Sequence, residues 1–479
     1  MNAIDSTAVT LSSTGAMLDR LATQRAAFLR DGTPTLAQRR ADLLKLKSAI
    51  LGRQAEIEAA LRQDFGHRST HETAIMEILP VIQGINYQRR HLRRWMRPER
   101  RHVPITFQPA RAWVAYQPLG VIGIMSPWNY PVSLALMPLA TAIAAGNRAM
   151  IKPSEFTPAS SALLVDLVTK TFGPEQVAVV TGDDSVGKDF ASLPFDHLVF
   201  TGSTPVGRAV MRAASENLVP VTLELGGKSP VIIEPGHSLA HAATAIAYGK
   251  LANSGQTCIA PDYVLVHQDA LDPFVRAFDQ AVRVLYPAGP ASTDYTSVVN
   301  ERHFQRLHAL LDDARSKGAR VQELGANPAD AGARPHHIAP TIVLGATEQM
   351  RIMQEEIFGP VLPVIGYRDL DEAIAYINAR PRPLALYYFG SHTASRNKVL
   401  ASTTSGNVTV NNTLMHYAQD DLPFGGVGPS GIGAYHGIEG FKALSHAKGV
   451  YRQGTWNMSS LLRPPFGRLS TLILKSMLR

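Results

Sequence analysis

Short apolar, β-branched runs alternate with helical patterns over most of this chain, and this order restricts the fold more than any other feature. Each run is followed by a turn and then a helical pattern, which predicts parallel strands joined by helices in a doubly wound α/β architecture. One series of predicted strands occupies residues 120–127, 148–154, 177–182 and 197–203. A second occupies residues 229–234, 262–267, 341–345 and 406–412. The two series predict two interleaved α/β lobes.

The stretch before the first strand is predicted to be helical and partly basic. Residues 35–96 carry apolar residues at helical spacing. Much of the net charge of +8 lies in QRRHLRRWMRPERRH, residues 88–102. A basic patch can bind nucleic acid, but no recognition motif accompanies this one. We therefore expect no nucleic-acid partner, and predict a basic solvent face with Leu92, Trp95 and Met96 packed inward.

Residues 112–147 contain no charged side chain, which raises the question of a membrane span. Prolines, Trp128 and Asn129 interrupt the run, so it favours a buried strand followed by a buried helix. The first residues lack the basic and apolar regions of a signal peptide. The chain has 1 cysteine, which forbids an intrachain disulfide and suits a reducing compartment. We expect a cytoplasmic protein.

The single cysteine, Cys258, lies in NSGQTCIAP, residues 253–261. A lone cysteine is usually a buried packing residue, but the neighbours here are small and polar. A nucleophilic thiol needs access, backbone donors and a lowered pKa, and this stretch offers the first two. We favour a nucleophile over a packing residue.

Two further side chains are candidates for the chemistry around a nucleophile. Glu224 lies between apolar residues in LELGGKSP. Such a carboxylate tends to have a raised pKa, which suits a general base, although a structural hydrogen bond is the alternative. Asn129 lies between prolines in SPWNYP. Its amide could donate to an oxyanion, or could bond only the backbone of its own turn.

Two strand ends carry residues that suit a nucleotide. Lys152 and Glu155, in IKPSE, follow one predicted strand, where a cation and an acceptor could bind ribose or form a surface ion pair. Gly202 and Gly207, in FTGSTPVG, open a helix whose backbone amides could face a phosphate. Thr204 stands where the dinucleotide fingerprint has its middle glycine, so the motif alone is weak.

Glu356 and Phe358 lie in EEIFGPVLPV, at a turn between a helix and a strand. They could hold a ribose and pack against a planar ring, or be a surface charge and a core residue. A metal site is not expected, because His67 and His71, or the adjacent residues 336–337, lack further ligands at suitable spacing.

Together these segments resemble the aldehyde dehydrogenase superfamily, from about residue 21 to about residue 449. The resemblance rests on an ordered set of motifs: SPWNYP, IKPSE, FTGST, LELGGKSP, GQTC, EEIFGP and LPFGGVGPSG. GQTCIAPDYV and LPFGGVGPSGIGAYHG are similar to the class 3 branch. Within it, QDFGHRSTHET and RRHLRRWMRPER look most like the bacterial coniferyl-aldehyde dehydrogenases.

The resemblance implies NAD(P)-dependent oxidation of an aldehyde, such as aromatic coniferyl aldehyde, to the acid, with NAD as cofactor and NADP as a second option. Cys258 would attack the aldehyde carbon, Asn129 and the backbone N–H of Cys258 would hold the oxyanion, and Glu224 would activate water. Tyr130 and residues 414–416 would lie near the substrate tunnel. Cofactor contacts would come from Trp128, Lys152, Glu155, Thr201, Gly202, Ser203, Glu356 and Phe358. Alternatives are a fatty or medium-chain aldehyde dehydrogenase and a CoA-acylating dehydrogenase, whereas the intact catalytic set argues against a non-enzymatic binding protein.

The resemblance also implies the aldehyde dehydrogenase fold, with a small β bridging and oligomerisation element beside the two Rossmann-like lobes. Residues 1–102 and 118–223 would form the cofactor-binding domain and residues 224–410 the catalytic domain. The bridging element would comprise residues 103–117 and 411–455, and would build a homodimer. The basic, apolar tail, residues 456–479, could lie on a membrane, but packing on a partner subunit is favoured.

Overall fold

The chain is described here by a computed structural model that covers residues 13–325, 334–455 and 463–478. Parts of two predicted segments, residues 1–12 and 456–462, therefore lie outside the described residues. The helices are α1 Thr14–Asp31, α2 Leu36–Leu51, α3 Gln54–Phe65, α4 Thr70–Thr73, α5 Leu79–Trp95, α6 Ser133–Ala145, α7 Pro158–Thr171, α8 Asp184–Ala191, α9 Thr204–Ser215, α10 Leu239–Leu251, α11 Leu271–Leu285, α12 Glu301–Ser316, α13 Arg351–Gln354, α14 Leu370–Asn378, α15 Thr393–Ser402, α16 Gly437–Ala443 and α17 Arg468–Met477. The strands are β1 Glu99–Arg101, β2 Arg111–Pro118, β3 Val121–Met125, β4 Arg148–Lys152, β5 Val177–Val179, β6 His197–Thr201, β7 Val221–Glu224, β8 Pro230–Ile233, β9 Tyr263–His267, β10 Arg320–Glu323, β11 Thr341–Leu344, β12 Val361–Tyr367, β13 Ala385–Phe389, β14 Asn407–Val410, β15 Gly431–Ile432 and β16 Ser445–Arg452.

The first predicted strand series corresponds to β3, β4, β5 and β6, and forms a six-stranded sheet with β7 and β15, which were not predicted, in the order β15-β7-β6-β3-β4-β5. Strands β3 to β7 are parallel, and β15 adds an antiparallel edge beside β7. The uncharged stretch is a buried strand, β3, followed by α6, in which every residue is buried. The prediction of a buried strand and helix is confirmed, and a helix apolar on all sides has to lie in such a core.

The second series corresponds to β8, β9, β11 and β14, and forms a seven-stranded sheet with β10, β12 and β13, in the order β10-β11-β12-β9-β8-β13-β14. Only β10 is antiparallel to its neighbour. The predicted pair of α/β lobes is therefore confirmed. In chain order, the step from β7 in the first sheet to β8 in the second crosses the LELGGKSP motif, so this motif lies where one sheet gives way to the other.

The predicted helical region before β1 comprises α2 to α5. Its basic stretch packs its apolar side chains inward, as predicted. Leu92 and Trp95 are buried, and Met96 is half-buried. Helix α1 precedes this region and was not predicted. A short π-helical turn, Ala74–Ile78, joins α4 to α5.

A third sheet has three antiparallel strands, with β2 between β1 and β16. From the predicted bridging segment 411–455, β16 joins this sheet, whereas β15 pairs with β7 of the six-stranded sheet. Helix α17 exposes Leu469, Leu472 and Leu474. No helix within the described part of the chain is long and apolar enough to cross a membrane.

Candidate active site

The candidate residues of the first lobe converge at the carboxyl edge of the six-stranded sheet. Lys152, Thr201 and Glu224 are the last residues of β4, β6 and β7, and the SPWNYP loop follows β3. The chain runs from β3 to β4 on one side, and later returns to β6 on the other side of β3. This reversal is a topological switch point, where open α/β sheets bind ligands.

The loop that carries Cys258 has an unusual backbone. After α10 ends, Asn253, Ser254 and Gly255 have φ angles of 52°, 54° and 73°. Such left-handed conformations are costly for residues other than glycine and persist only where the surroundings impose them. A Cβ on Gly255 would lie 2.3 Å from the carbonyl oxygen of Gly359. The small residues of the motif thus allow a close approach to the EEIFGP segment.

The buried side chain of Gln256 fixes this loop. Its Nε2 donates to the carbonyl oxygens of Asn253, at 2.9 Å, and Ser297, at 3.1 Å. Its Oε1 accepts from the backbone N–H of Val299, at 2.9 Å. Gln256 was not among the predicted site residues, although its motif was.

Cys258 is partly exposed, and its thiol keeps its proton at neutral pH until a base removes it. Burial, followed by the carboxyl groups of Glu356 and Glu224, raises the pKa of Cys258 to about 12. The backbone amides of Cys258 and Ile259 act in the opposite direction, with a smaller effect. Attack by this sulfur therefore requires a base to take its proton.

Glu224 is 2% exposed, and neither of its carboxyl oxygens has a hydrogen-bond partner in the described residues. Burial raises its pKa well above the usual value, as its apolar neighbours predicted. The alternative of a structural hydrogen bond is not observed for these oxygens. An unpaired buried carboxyl group costs stability, which makes it a candidate for chemistry.

Glu356 lies directly over the LELGG segment, because a Cβ on Gly226 would lie 2.1 Å from its Oε2. Burial, and then the Asp262 carboxylate, raise the pKa of Glu356 to about 8. The amine of Lys228 holds the two motifs together by donating to the carbonyl oxygen of Glu355, at 2.9 Å, and to the Asp262 carboxylate. Lys228 was not predicted as a site residue.

Asn129 bonds the cysteine loop rather than its own turn. Its Nδ2 donates to the carbonyl oxygen of Gln256, at 3.0 Å. The backbone carbonyl oxygen of Asn129 accepts from Asn253 Nδ2, at 2.9 Å, and from Arg68 Nη1, at 3.1 Å. A primary amide has two N–H groups, so one remains for another acceptor. Arg68 was not predicted, since nothing in the sequence marks its burial.

The predicted cofactor residues fit a nucleotide with its phosphates at a helix N-terminus. Lys152 Nζ lies 2.8 Å from Glu155 Oε2, beyond the end of β4. Beyond β6, the backbone N–H of Gly202 is already bonded to the carbonyl oxygen of Glu224, at 3.0 Å. Ser203 is exposed at the start of α9, and its side chain makes no capping hydrogen bond. No side-chain acceptor from Ser203 therefore occupies the first backbone N–H groups of α9. An anion can bind a helix N-terminus only where such N–H groups are not already capped.

The structure brings together Trp128 and Phe358 from distant segments. Their ring centroids are 5.3 Å apart, with the planes at 74°. Phe358 has a φ of 52°, a strained conformation for a bulky residue that is typical of functional turns. His303, which was not predicted, lies 4.7 Å from Trp128 between ring centroids. In the described residues, no group of three or more His, Cys, Asp or Glu side chains could hold a metal ion.

Comparison with known proteins agrees with this geometry. The sequence model of the aldehyde dehydrogenase family matches residues 14–450. A protein named probable coniferyl aldehyde dehydrogenase, from Caulobacter vibrioides, is 50% identical over 457 residues, 94% of each chain. The substrate-bound state of Staphylococcus aureus AldH has a TM-score of 0.91 at 37% identity, covering 97% of this chain and 99% of that one. A Mycobacterium tuberculosis aldehyde dehydrogenase complexed with NAD+ has a TM-score of 0.82 at 29% identity, covering 91% and 90%. The chain belongs to the aldehyde dehydrogenase family.

Proposed function

We propose that this protein oxidises an aldehyde to its carboxylic acid with NAD, through a covalent intermediate on Cys258. One observation carries the proposal: Cys258 lies within electrostatic reach of Glu224 and Glu356, in a loop to which the Asn129 amide is bonded. A nucleophile, a base and an oxyanion donor form a complete set for acyl chemistry.

In the first step, the sulfur of Cys258 bonds to the aldehyde carbon, and the π electron pair of the carbonyl moves to oxygen. The thiol proton passes to one of the two facing carboxylates. The second N–H of Asn129 and the backbone N–H of Cys258 donate to the oxyanion. Donors held in advance are effective because they need no reorganisation as charge develops.

The cofactor supplies the hydride acceptor that turns the thiohemiacetal on Cys258 into a thioester. Lys152 and Glu155 would hold its adenosine ribose, and the start of α9 at residues 201–203 its phosphates. Glu356 would hold the nicotinamide ribose, with Trp128 and Phe358 near the ring. The Glu155 carboxylate favours NAD, since it would repel the 2′-phosphate of NADP.

In the last step, Glu224 takes a proton from water as the water oxygen attacks the thioester carbon. The carbon–sulfur bond breaks, the acid leaves, and the proton that Glu224 took from water passes to the sulfur, which restores the thiol. A pKa raised by burial makes the ionised Glu224 a stronger base than an exposed carboxylate. Since transfer to CoA would not need this base, the unpaired Glu224 favours hydrolysis over the CoA-acylating alternative.

We propose an aromatic substrate of the coniferyl aldehyde type, supported by the name of the relative that is 50% identical. An aromatic wall near the nucleophile also supports it. Burial, and then the Cys258 thiol, raise the pKa of Tyr417, so this phenol lies within electrostatic reach of the thiol. The hydroxyl of Tyr130 lies 2.6 Å from the Oγ1 of Thr257, the residue that precedes Cys258. Of the predicted tunnel residues, Leu414 and His416 are buried, while Met415 is 37% exposed.

We further propose the division into domains at residues 102, 118, 224 and 411, and a cytoplasmic homodimer. Support comes from the three-stranded sheet, in which most residues of β16 are exposed along one edge. An exposed edge strand can pair with another chain. The exposed leucines of α17 support packing of the tail on a partner subunit.

The test follows NADH formation with coniferyl aldehyde, benzaldehyde and a long-chain aldehyde. Cys258→Ser should lose nearly all activity, because a hydroxyl is a far weaker nucleophile than a thiol. Glu224→Gln should give a burst of NADH and then turnover about 100-fold slower, because only thioester hydrolysis lacks its base. Glu216→Gln, which changes an exposed glutamate, is the matched control.

Wild-type turnover by Cys258→Ser would exclude the covalent mechanism. Unchanged steady-state turnover by Glu224→Gln would remove that residue from the base role. A strict need for CoA would overturn the hydrolytic step, and preference for the long-chain aldehyde would overturn the aromatic assignment.

A further inference from the structure

The loop that presents Asn129 is held at two points by one buried ion pair. Arg68 Nη1 lies 3.3 Å from Glu77 Oε1, and both side chains are fully buried. Arg68 Nη1 also donates to the carbonyl oxygen of Asn129, at 3.1 Å. The other oxygen of the acid, Glu77 Oε2, accepts from the backbone N–H of Ser133, at 2.7 Å, where α6 begins. The pair therefore spans the second half of the loop, from Asn129 to the start of α6.

Local structure aims both side chains at this loop. Glu77 belongs to the π-helical turn Ala74–Ile78. Such a turn holds one extra residue and is frequent at functional sites. The guanidinium carbon of Arg68 lies 4.7 Å from the ring centroid of Phe65 and 5.0 Å from that of Tyr130. The two rings restrict the plane of the guanidinium group.

The same segment also holds the cysteine loop. Glu72 accepts hydrogen bonds from the backbone N–H of Asn253 and from the hydroxyl of Thr296. Asn253 Nδ2 in turn donates to Asn129, at 2.9 Å, and to the carbonyl oxygen of Gln256, at 3.2 Å. Residues 68–77 thus connect the loop of the amide donor with the loop of the nucleophile.

Stability alone is a poor explanation for the pair. Apolar residues of similar size often replace a buried ion pair without loss of stability. Here, Arg68 Nε and Nη2 have no hydrogen-bond partner in the described residues, which adds to the cost of burial. The pair instead fixes the orientation of the loop, because charge-assisted hydrogen bonds to two backbone groups hold the segment between them.

We propose that Arg68 and Glu77 are positioning residues, which orient Asn129 toward the oxyanion formed on the aldehyde. This inference rests on the proposed function, in which Asn129 is an oxyanion donor. Its direct consequence is a slower acylation step when the pair is changed.

Three variants separate positioning from folding. Arg68→Lys keeps a positive charge beside Glu77, but an ammonium group lacks the flat guanidinium that packs against the rings of Phe65 and Tyr130. Arg68→Met combined with Glu77→Gln removes both charges and leaves neither unpaired. Arg93→Met changes an exposed arginine of α5 and serves as the control.

The first measurement is the rate of the NADH burst in wild type and variants, alone and combined with Asn129→Ala. We expect Arg68→Lys and the double variant to slow the burst about tenfold or more, as a small misplacement can. In the Asn129→Ala background, the same changes should have little further effect, because they act through Asn129. Folded variants with burst rates within about twofold of wild type would overturn the proposal, as would an undiminished effect without Asn129.

The second measurement is hydrogen–deuterium exchange of peptides that cover residues 126–133, which needs neither substrate nor cofactor. Arg68→Lys and the double variant should speed exchange in these peptides, while Arg93→Met should not. Unchanged exchange in both pair variants would refute positioning even in an active enzyme. Absence of aldehyde oxidation by the wild type would instead refute the proposed function, and the exchange result would still decide the role of the pair in holding the loop.

Discussion

Gln256→Ala should show how strongly one side chain fixes the cysteine loop. Gln256 is fully buried and makes 3 hydrogen bonds, all to backbone groups of the loop and of residues 297–299. Each buried hydrogen bond contributes about 1 kcal/mol, and a partner left unsatisfied costs at least as much. The change should therefore lower the free energy of unfolding by about 3 kcal/mol.

The effect on catalysis should exceed what the lost stability alone would produce. The carbonyl oxygen of Gln256 accepts from Asn129 Nδ2, at 3.0 Å, so a shift of the loop moves the oxyanion donor and the nucleophile relative to each other. A misplacement of about 1 Å can cost about 100-fold in rate. We expect the NADH burst of the folded variant to slow by about 10-fold to 100-fold.

Urea denaturation gives the free energy of unfolding, and stopped-flow absorbance gives the burst rate. The control is Gln305→Ala, because Gln305 is exposed and its side chain bonds only Glu301 in the same helix. Gln256→Glu adds a graded variant, since it keeps the acceptor for Val299 but loses both donors. A loss below about 1 kcal/mol for Gln256→Ala would refute the view that the side chain fixes the loop.

Two further predictions concern the charges around the thiol and the cofactor. Alkylation of Cys258 without cofactor should be slow at neutral pH and still rise at alkaline pH, because its pKa is raised to about 12. Glu356→Gln should shift the curve to lower pH by removing a facing carboxylate, with Cys258→Ser as the blank; an unshifted curve would contradict the assigned cause. Glu155→Gln should raise the ratio of kcat/KM for NADP to that for NAD about tenfold, equivalent to about 1.4 kcal/mol of relieved repulsion. Steady-state kinetics with both cofactors checks this against Glu175→Gln, and an unchanged ratio would place Glu155 away from the 2′ position.

The fold could be predicted wherever burial leaves a simple pattern in the sequence. Buried parallel strands such as β3 and β6 read as continuous apolar runs, since both faces are covered. Helix α1 was missed because one of its buried positions is polar. Gln24 is fully buried and donates to the carbonyl oxygens of Ala149, at 3.0 Å, and Pro174, at 3.2 Å. The partners that make such burial acceptable are distant in sequence.

The candidate site shows the same limit. Lys152 could be placed at a strand end, because a strand followed by a helical pattern shows where the carboxyl edge lies. Glu224 was selected for its apolar neighbours, and the strand that it ends, β7, was not predicted. Arg68 and Lys228 could not be placed, although both are in the quoted motifs QDFGHRSTHET and LELGGKSP. Their carbonyl acceptors lie 61 residues away for Arg68 and 124 and 127 residues away for Lys228. In sequence, an arginine or lysine that will bond a distant carbonyl looks like one that will face water.

The raised pKa of Cys258 also bears on the order of the chemical steps. Glu224 raises the pKa of the thiol through charge repulsion, so a thiolate must raise the pKa of Glu224 in return. While the sulfur is ionised, Glu224 therefore tends to keep its proton. Once the sulfur is bonded to the acyl carbon, it carries no charge, and this opposition to the ionised Glu224 ends. In the proposed mechanism, formation of the thioester would thus favour the ionised Glu224 that activates water, and the coupling would place the base after the nucleophile in the reaction.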